Sequence, residues 1–206
     1  MKPLTLPSGW KLFAALAALT LLMTAAVLLS YPPGADGLRS AIRATARSSF
    51  ALFLLAFLAS TLVTFLPGSG SRRVLRERRY LALAFAFSHT VHGLLIYRYA
   101  QQFPELFWAG RTVTSSLPGS IGYLFLLLLT LTSFKAPMRL LGGRAWKALH
   151  SSGMWVLAGV FCLSFYKRIP MGGWYPLAFA LIFSAITFKL TAKLAQQQRR
   201  TASALS

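Results

Sequence analysis

Acidic side chains are nearly missing from this chain: three Asp and Glu among 206 residues, against 22 Lys and Arg. The three are Asp36, Glu77 and Glu105, and all are expected in loops between the apolar runs. Spans without a carboxylate cannot hold a carboxylate-based proton relay. Cysteine is scarcer still. A lone Cys162 excludes an intrachain disulfide, a cysteine-ligated cluster and a CxxC redox motif, and in its apolar stretch it reads as a small core residue. Charged residues make up only 12% of the chain, where a soluble domain carries about 25%. The alternation of an outer-membrane barrel is absent, as are internal repeats. The glycine cluster at 67–71 reads as a turn, since it follows no strand and fits neither a GxGxxG nor a Walker pattern.

What the chain has is apolar runs. Apolar residues make up 56%, and six segments stand out at about 12–31, 48–66, 80–97, 114–134, 145–166 and 174–189. Each approaches the ~20 residues a helix needs to cross a bilayer. The expected fold is therefore all-α, a polytopic six-helix membrane bundle over residues 1–195, with a polar, mobile, cytoplasmic tail at 196–206. The first run exceeds the usual h-region of a signal peptide and reads as a span. In the fourth, Pro118 and Gly119 predict a regular helix starting only near Ile121.

The net charge of +19 resembles a nucleic-acid signal, but no soluble basic face is left to carry it. Loop asymmetry explains it instead. Lys2, Lys11, Arg72, Arg73, Arg76, Arg78, Arg79, Lys135, Arg139, Arg144, Lys147, Lys189, Lys193, Arg199 and Arg200 fall on one side. Arg39, Arg43, Arg47, Arg98, Arg111, Lys167 and Arg168 fall on the other. The richer side is predicted cytoplasmic, with both termini, in a bacterial-type inner membrane. The connections at 35–47, 101–113 and 167–173 are then non-cytoplasmic. Trp10, Trp108, Trp146 and Trp174 fall at predicted membrane edges, as an aromatic belt requires.

Against this background the three histidines are the anomaly. His89 and His92 share one face of the third run, one turn apart, and His150 lies in the fifth. An ionisable group in a span is costly and normally has a partner or a function. Imidazole ligates haem iron, and helical bundles build cofactor sites from facing side chains. Gly93 and Gly153 leave space beside the histidines for a flat macrocycle, Phe85 offers a packing face, and Arg78 and Arg79 at the membrane edge suit propionate carboxylates.

The stretch from Arg78–Arg79–Tyr80 through Phe85 to His92 resembles the third helix of the ferric reductase-like transmembrane domain. Thr132–Ser133–Phe134, Met138–Arg139, Leu141–Gly142 and Trp146 to His150 resemble its fourth-to-fifth connection, and 34–36 with 48–53 the start of its second helix. Within that family the chain is similar to haem-binding membrane subunits that serve periplasmic methionine sulfoxide reduction. The resemblance implies six helices, b-type haem and electron transfer across the membrane. It places His92 and His150 at family histidines. A second fifth-helix histidine, common in the family, is replaced here by Leu163, which leaves His92 without its usual partner. The expectation is one haem b between the third and fifth helices, with His150 on one face and His89 or His92 on the other. A second haem is less supported.

The expected function is thus that of a b-type cytochrome, the haem-binding subunit of an oxidoreductase. Its partners would be the lipid bilayer, a separate donor (a quinol or a flavoprotein) and a separate acceptor, a periplasmic oxidoreductase among the candidates. This chain has no room for flavin or nicotinamide domains and calls for no nucleic acid. Two rivals use the same residues: a haem-free transporter whose histidines bind metal or relay protons, and a structural membrane subunit that kept the fold without the cofactor.

Overall fold

Backbone N–H and C=O groups in lipid find partners only within a helix or a closed barrel, so the apolar runs become helices. The computed structural model describes residues 7–109 and 111–205. It contains α1 (Trp10–Leu29), α2 (Ala35–Phe65), α3 (Ser69–Gln102), a short α4 (Pro104–Trp108), α5 (Val113–Leu131), α6 (Lys135–Tyr166), a 3-10 turn (Ile169–Met171) and α7 (Tyr175–Leu205). Six of these, α4 and the 3-10 turn excepted, are long and apolar enough to cross a membrane, and the described residues include no strand. The protein is an all-α, multi-pass membrane protein. Lys2 of the charge count, Gly110 of the 101–113 connection and Ser206 of the tail lie outside the described residues.

The helices run beyond the apolar segments. α2 begins at Ala35 and α3 at Ser69, so both arginine-bearing connections are helical. Lys, Arg, Glu and Gln propagate helices well in water, and hydropathy marks only the part suited to lipid. The three acids are accordingly in helices and not in loops: Asp36 in the first turn of α2, Glu77 in α3 and Glu105 in α4. α7 continues through the polar segment to Leu205. α5 starts at Val113, not near Ile121. Thr112 and Ser115 form a reciprocal capping box that nucleates the helix upstream, and Pro118 withholds a single N–H. In α6, Gly142 takes φ 73° and ψ 157°, a region open essentially to glycine. That break detaches a first segment, whose Leu140 is 90% exposed, from the long span that follows.

α2 and α3 form the central antiparallel pair, close enough for the Ser48 and Ser88 hydroxyls to meet at 3.0 Å. Small residues on the seam, with Thr45, Ser49 and Ser88 fully buried, permit this approach. Phe50, Phe53, Ala56 and Phe57 of α2 project into the core against Phe85 of α3 and Phe161 and Phe165 of α6. α1 packs on α2 and α3; α5 lies against α6, and α7 closes on α6 and α2. Glu77, 5% exposed, accepts a hydrogen bond from the Gly9 N–H at 2.7 Å, which ties the start of α1 to α3. The α2–α3 and α5–α6 connections share one end of the bundle, called here the arginine-rich end.

Candidate functional site

The α2–α3 seam fixes the two α3 imidazoles. His92 Nδ1 lies 3.0 Å from the Ile42 carbonyl oxygen and 3.3 Å from Thr45 Oγ1. A carbonyl only accepts, so Nδ1 carries the proton and Nε2 keeps its lone pair. Thr45 agrees, because its own proton is directed to the Ala41 carbonyl at 2.8 Å. His89 Nδ1 lies 3.1 Å from Ser49 Oγ, and the Ser49 hydroxyl donates to the Ala46 carbonyl at 3.0 Å. Ser49 thus accepts from His89, whose Nε2 is also left with a lone pair. A ring N–H donated to an oxygen, with the opposite nitrogen basic, is the arrangement of metal-binding histidines.

The two rings stack on each other with centroids 5.1 Å apart. His89 also stacks on Tyr123 of α5 at 5.0 Å and meets Phe161 of α6 edge-on at 5.7 Å, while Phe85 lies 5.6 Å away. Phe85 is a core residue, 3% exposed, that also touches the histidine group.

His150 belongs to a different group. Its Nε2 lies 2.9 Å from Thr132 Oγ1, and the Thr132 hydroxyl donates to the Leu128 carbonyl at 2.6 Å. His150 therefore donates through Nε2 and keeps its lone pair on Nδ1. The Trp146 indole N–H donates to the Thr132 carbonyl at 2.8 Å, and its ring lies 4.4 Å from His150. This network joins the end of α5 to α6. The register of α6 against α3 measures its depth. Phe161, which touches His89, is eleven residues further along α6 than His150. That gives ~16 Å at the α-helical rise. The structure brings His89 and His92 together and leaves His150 a separate level nearer the arginine-rich end. Because His89 and His92 share one helix face, they cannot take opposite sides of one iron.

The other expected residues are accounted for individually. Arg78 donates from Nε to the Ala56 carbonyl at 3.1 Å, eleven residues before His89 on α3 and not beside it. Arg79 is exposed, with its guanidinium 5.8 Å from the Tyr80 ring. A Cβ at Gly93 would lie 2.9 Å from the Tyr123 hydroxyl, and one at Gly153 3.0 Å from the Leu129 side chain. Both glycines serve close packing, so the macrocycle slot expected beside them is filled by side chains. Leu163 is 39% exposed, and Phe161 is the α6 ring at the His89 level. Tyr123, Ser49 and Thr45 carried no signal as isolated residues; only pairing α2 and α5 with α3 exposes their roles. No cluster of three metal-ligating side chains occurs among the described residues.

Comparison with known proteins decides the family. Residues 45–161 match the family described as ferric reductase like transmembrane component. The chain belongs to that family. The match covers the α2–α3 seam and extends through His150 to Phe161. The chain is also 32% identical over 123 residues to the protein-methionine-sulfoxide reductase heme-binding subunit MsrQ of Azospira oryzae, covering 57% of this chain and 52% of the relative. It thus spans about half the length of that relative. No solved structure matches the chain significantly.

Proposed function

We propose that this ferric reductase-like component is a haem-binding membrane subunit that passes electrons from a donor to a separate acceptor. The observation that carries the reading is the pair His89 and His92, each with Nδ1 donated to an α2 oxygen and Nε2 left basic. The MsrQ relative, a heme-binding subunit by name, supports the same cofactor. The donor chemistry fits haem iron. His92, pinned by a backbone carbonyl, is the α3 ligand, and His89 is the neighbour that packs on it. A haem b, one per chain, would be held between the third and fifth spans, beside the Tyr123 and Phe161 rings that contact His89. When bound, haem supplies one-electron redox chemistry. The protein supplies the axial imidazole, a hydrogen bond that raises its basicity, and a water-poor aromatic surround.

His150 supports a second reading of its own. Its bond to Thr132 and its contact with Trp146 give it a structural role at the α5–α6 junction. It becomes an iron ligand only if it leaves Thr132 or binds through Nδ1. The excess of Lys and Arg at the arginine-rich end supports a cytoplasmic position for that end, with both termini on the cytoplasmic side of a bacterial-type inner membrane. The donor is a quinol or a flavoprotein, and the acceptor a periplasmic oxidoreductase of the kind implied by the relative's name.

The deciding measurement is the absorption spectrum of the detergent-purified protein before and after dithionite. A Soret band with sharpened α and β bands on reduction is expected. No Soret band, even after expression with added haem, overturns the reading. His92→Ala should lose most of the haem, and a haem content unchanged from wild type would remove His92 as the ligand.

A further inference from the structure

A small cavity opens between α2, α6 and α7 at the arginine-rich end, with a volume of about 200 Å³. Ser60, Thr61, Ser151, Trp155, Lys189 and Lys193 line it. Its charge is of one sign. Lys189 is half-buried, donates one hydrogen bond to the Phe57 carbonyl and sits 4.6 Å from the Phe57 ring centroid. Arg78, also half-buried, interacts electrostatically with Lys189 and spends one donor on the Ala56 carbonyl. An ammonium has three donors and a guanidinium five, so most of theirs are unspent. Neither ion pair among the described residues includes Arg78, Lys189 or Lys193. Thr61 is 3% exposed in the cavity wall, and its hydroxyl forms no hydrogen bond among the described residues.

Cations gathered at a membrane edge without a counter-charge repel one another and are costly to desolvate. We infer that this cavity binds the phosphate of an anionic phospholipid, with Lys189 and Lys193 on the phosphate oxygens and Thr61 donating its hydroxyl. Basic pockets between spans are the sequence-readable form of such recognition. The surroundings favour a lipid over a soluble anion. The cavity lies among membrane spans, Trp155 and Ala192 give it apolar walls, and the exposed Leu190 and Leu194 flank it on α7 where acyl chains run. The inference is independent of the haem reading and is tested without reference to haem content.

The test is thermal unfolding of the full chain in neutral detergent, titrated with phosphatidylglycerol, phosphatidylcholine or inorganic phosphate. Phosphatidylglycerol should stabilise the protein saturably and phosphatidylcholine should not. Lys189→Gln with Lys193→Gln should weaken the apparent affinity roughly tenfold or more. Arg72→Gln with Arg76→Gln, which removes the same charge from the same end outside the cavity, should leave it unchanged. Thr61→Val, nearly isosteric, provides the readout if the lysine variant does not fold, and should weaken binding severalfold. Equal stabilisation by both lipids, or equal loss in both double variants, overturns the inference. Stabilisation by inorganic phosphate at the same concentrations overturns the lipid as the ligand.

Discussion

His92 and His150 show how a hydroxyl or carbonyl neighbour decides what an imidazole offers. Ile42 and Thr45 hold the proton of His92 on Nδ1 and leave Nε2 basic; Thr132 does the reverse for His150. Two predictions belong at this scale. Ser49→Ala removes the oxygen that orients His89 and should shift the redox midpoint of bound haem if His89 is at or beside the iron; an unchanged midpoint in a redox titration assigns Ser49 to helix packing alone. Thr132→Val keeps the shape but removes the acceptor for His150. It should lower stability by about 1–2 kcal/mol, read from thermal unfolding in detergent. Removing His150 itself as His150→Ala should cost more, since it breaks the same bond and also loses the contact with the Trp146 ring.

At the scale of elements, the connection between α5 and α6 and the break within α6 carry the testable chemistry. Gly142→Ala forces a side chain into a backbone region that costs of order 1–3 kcal/mol, so it should lower the unfolding midpoint or straighten α6. Gly143→Ala, one residue on, has no left-handed backbone and no atom within 4 Å of its new Cβ, and should be neutral or slightly stabilising. The number and order of spans were legible in the sequence because lipid makes an apolar run of the right length nearly synonymous with a helix. Helix starts were less so. Arg39, Arg43 and Arg47 read as loop residues by polarity yet continue α2 in water, and Pro118 is overridden by the cap at Thr112. The histidines were legible as an anomaly of cost. Their grouping was not: it depends on the offset of α6 against α3, which puts Phe161 rather than His150 opposite His89, and single-chain periodicity holds no information on such offsets.

For the whole molecule, one buried acid stands among many cations. Glu77 closes the start of α1 onto α3, and Glu77→Ala should cost about 1–3 kcal/mol by leaving the Gly9 N–H without its acceptor, whereas Glu77→Gln should cost less. The sequence showed Glu77 as a lone acid in an arginine run, but only the fold gives it a partner 68 residues away. Orientation is tested with a membrane-impermeant thiol reagent on intact cells, in a Cys162→Ser background. Gln101→Cys, at the end opposite the arginine-rich one, should label, and Arg72→Cys should label only after permeabilisation; the reverse pattern would invert the topology.

The separation between the two imidazole levels has a consequence in the electric field of a living membrane. At ~16 Å along the helices it spans about half of a hydrocarbon core ~30 Å thick. An elementary charge that travels between the His150 level and the His89 level therefore senses about half of the transmembrane voltage, ~1 kcal/mol per 100 mV. If the proposed electron transfer runs between these levels, its rate should respond to polarisation of the membrane.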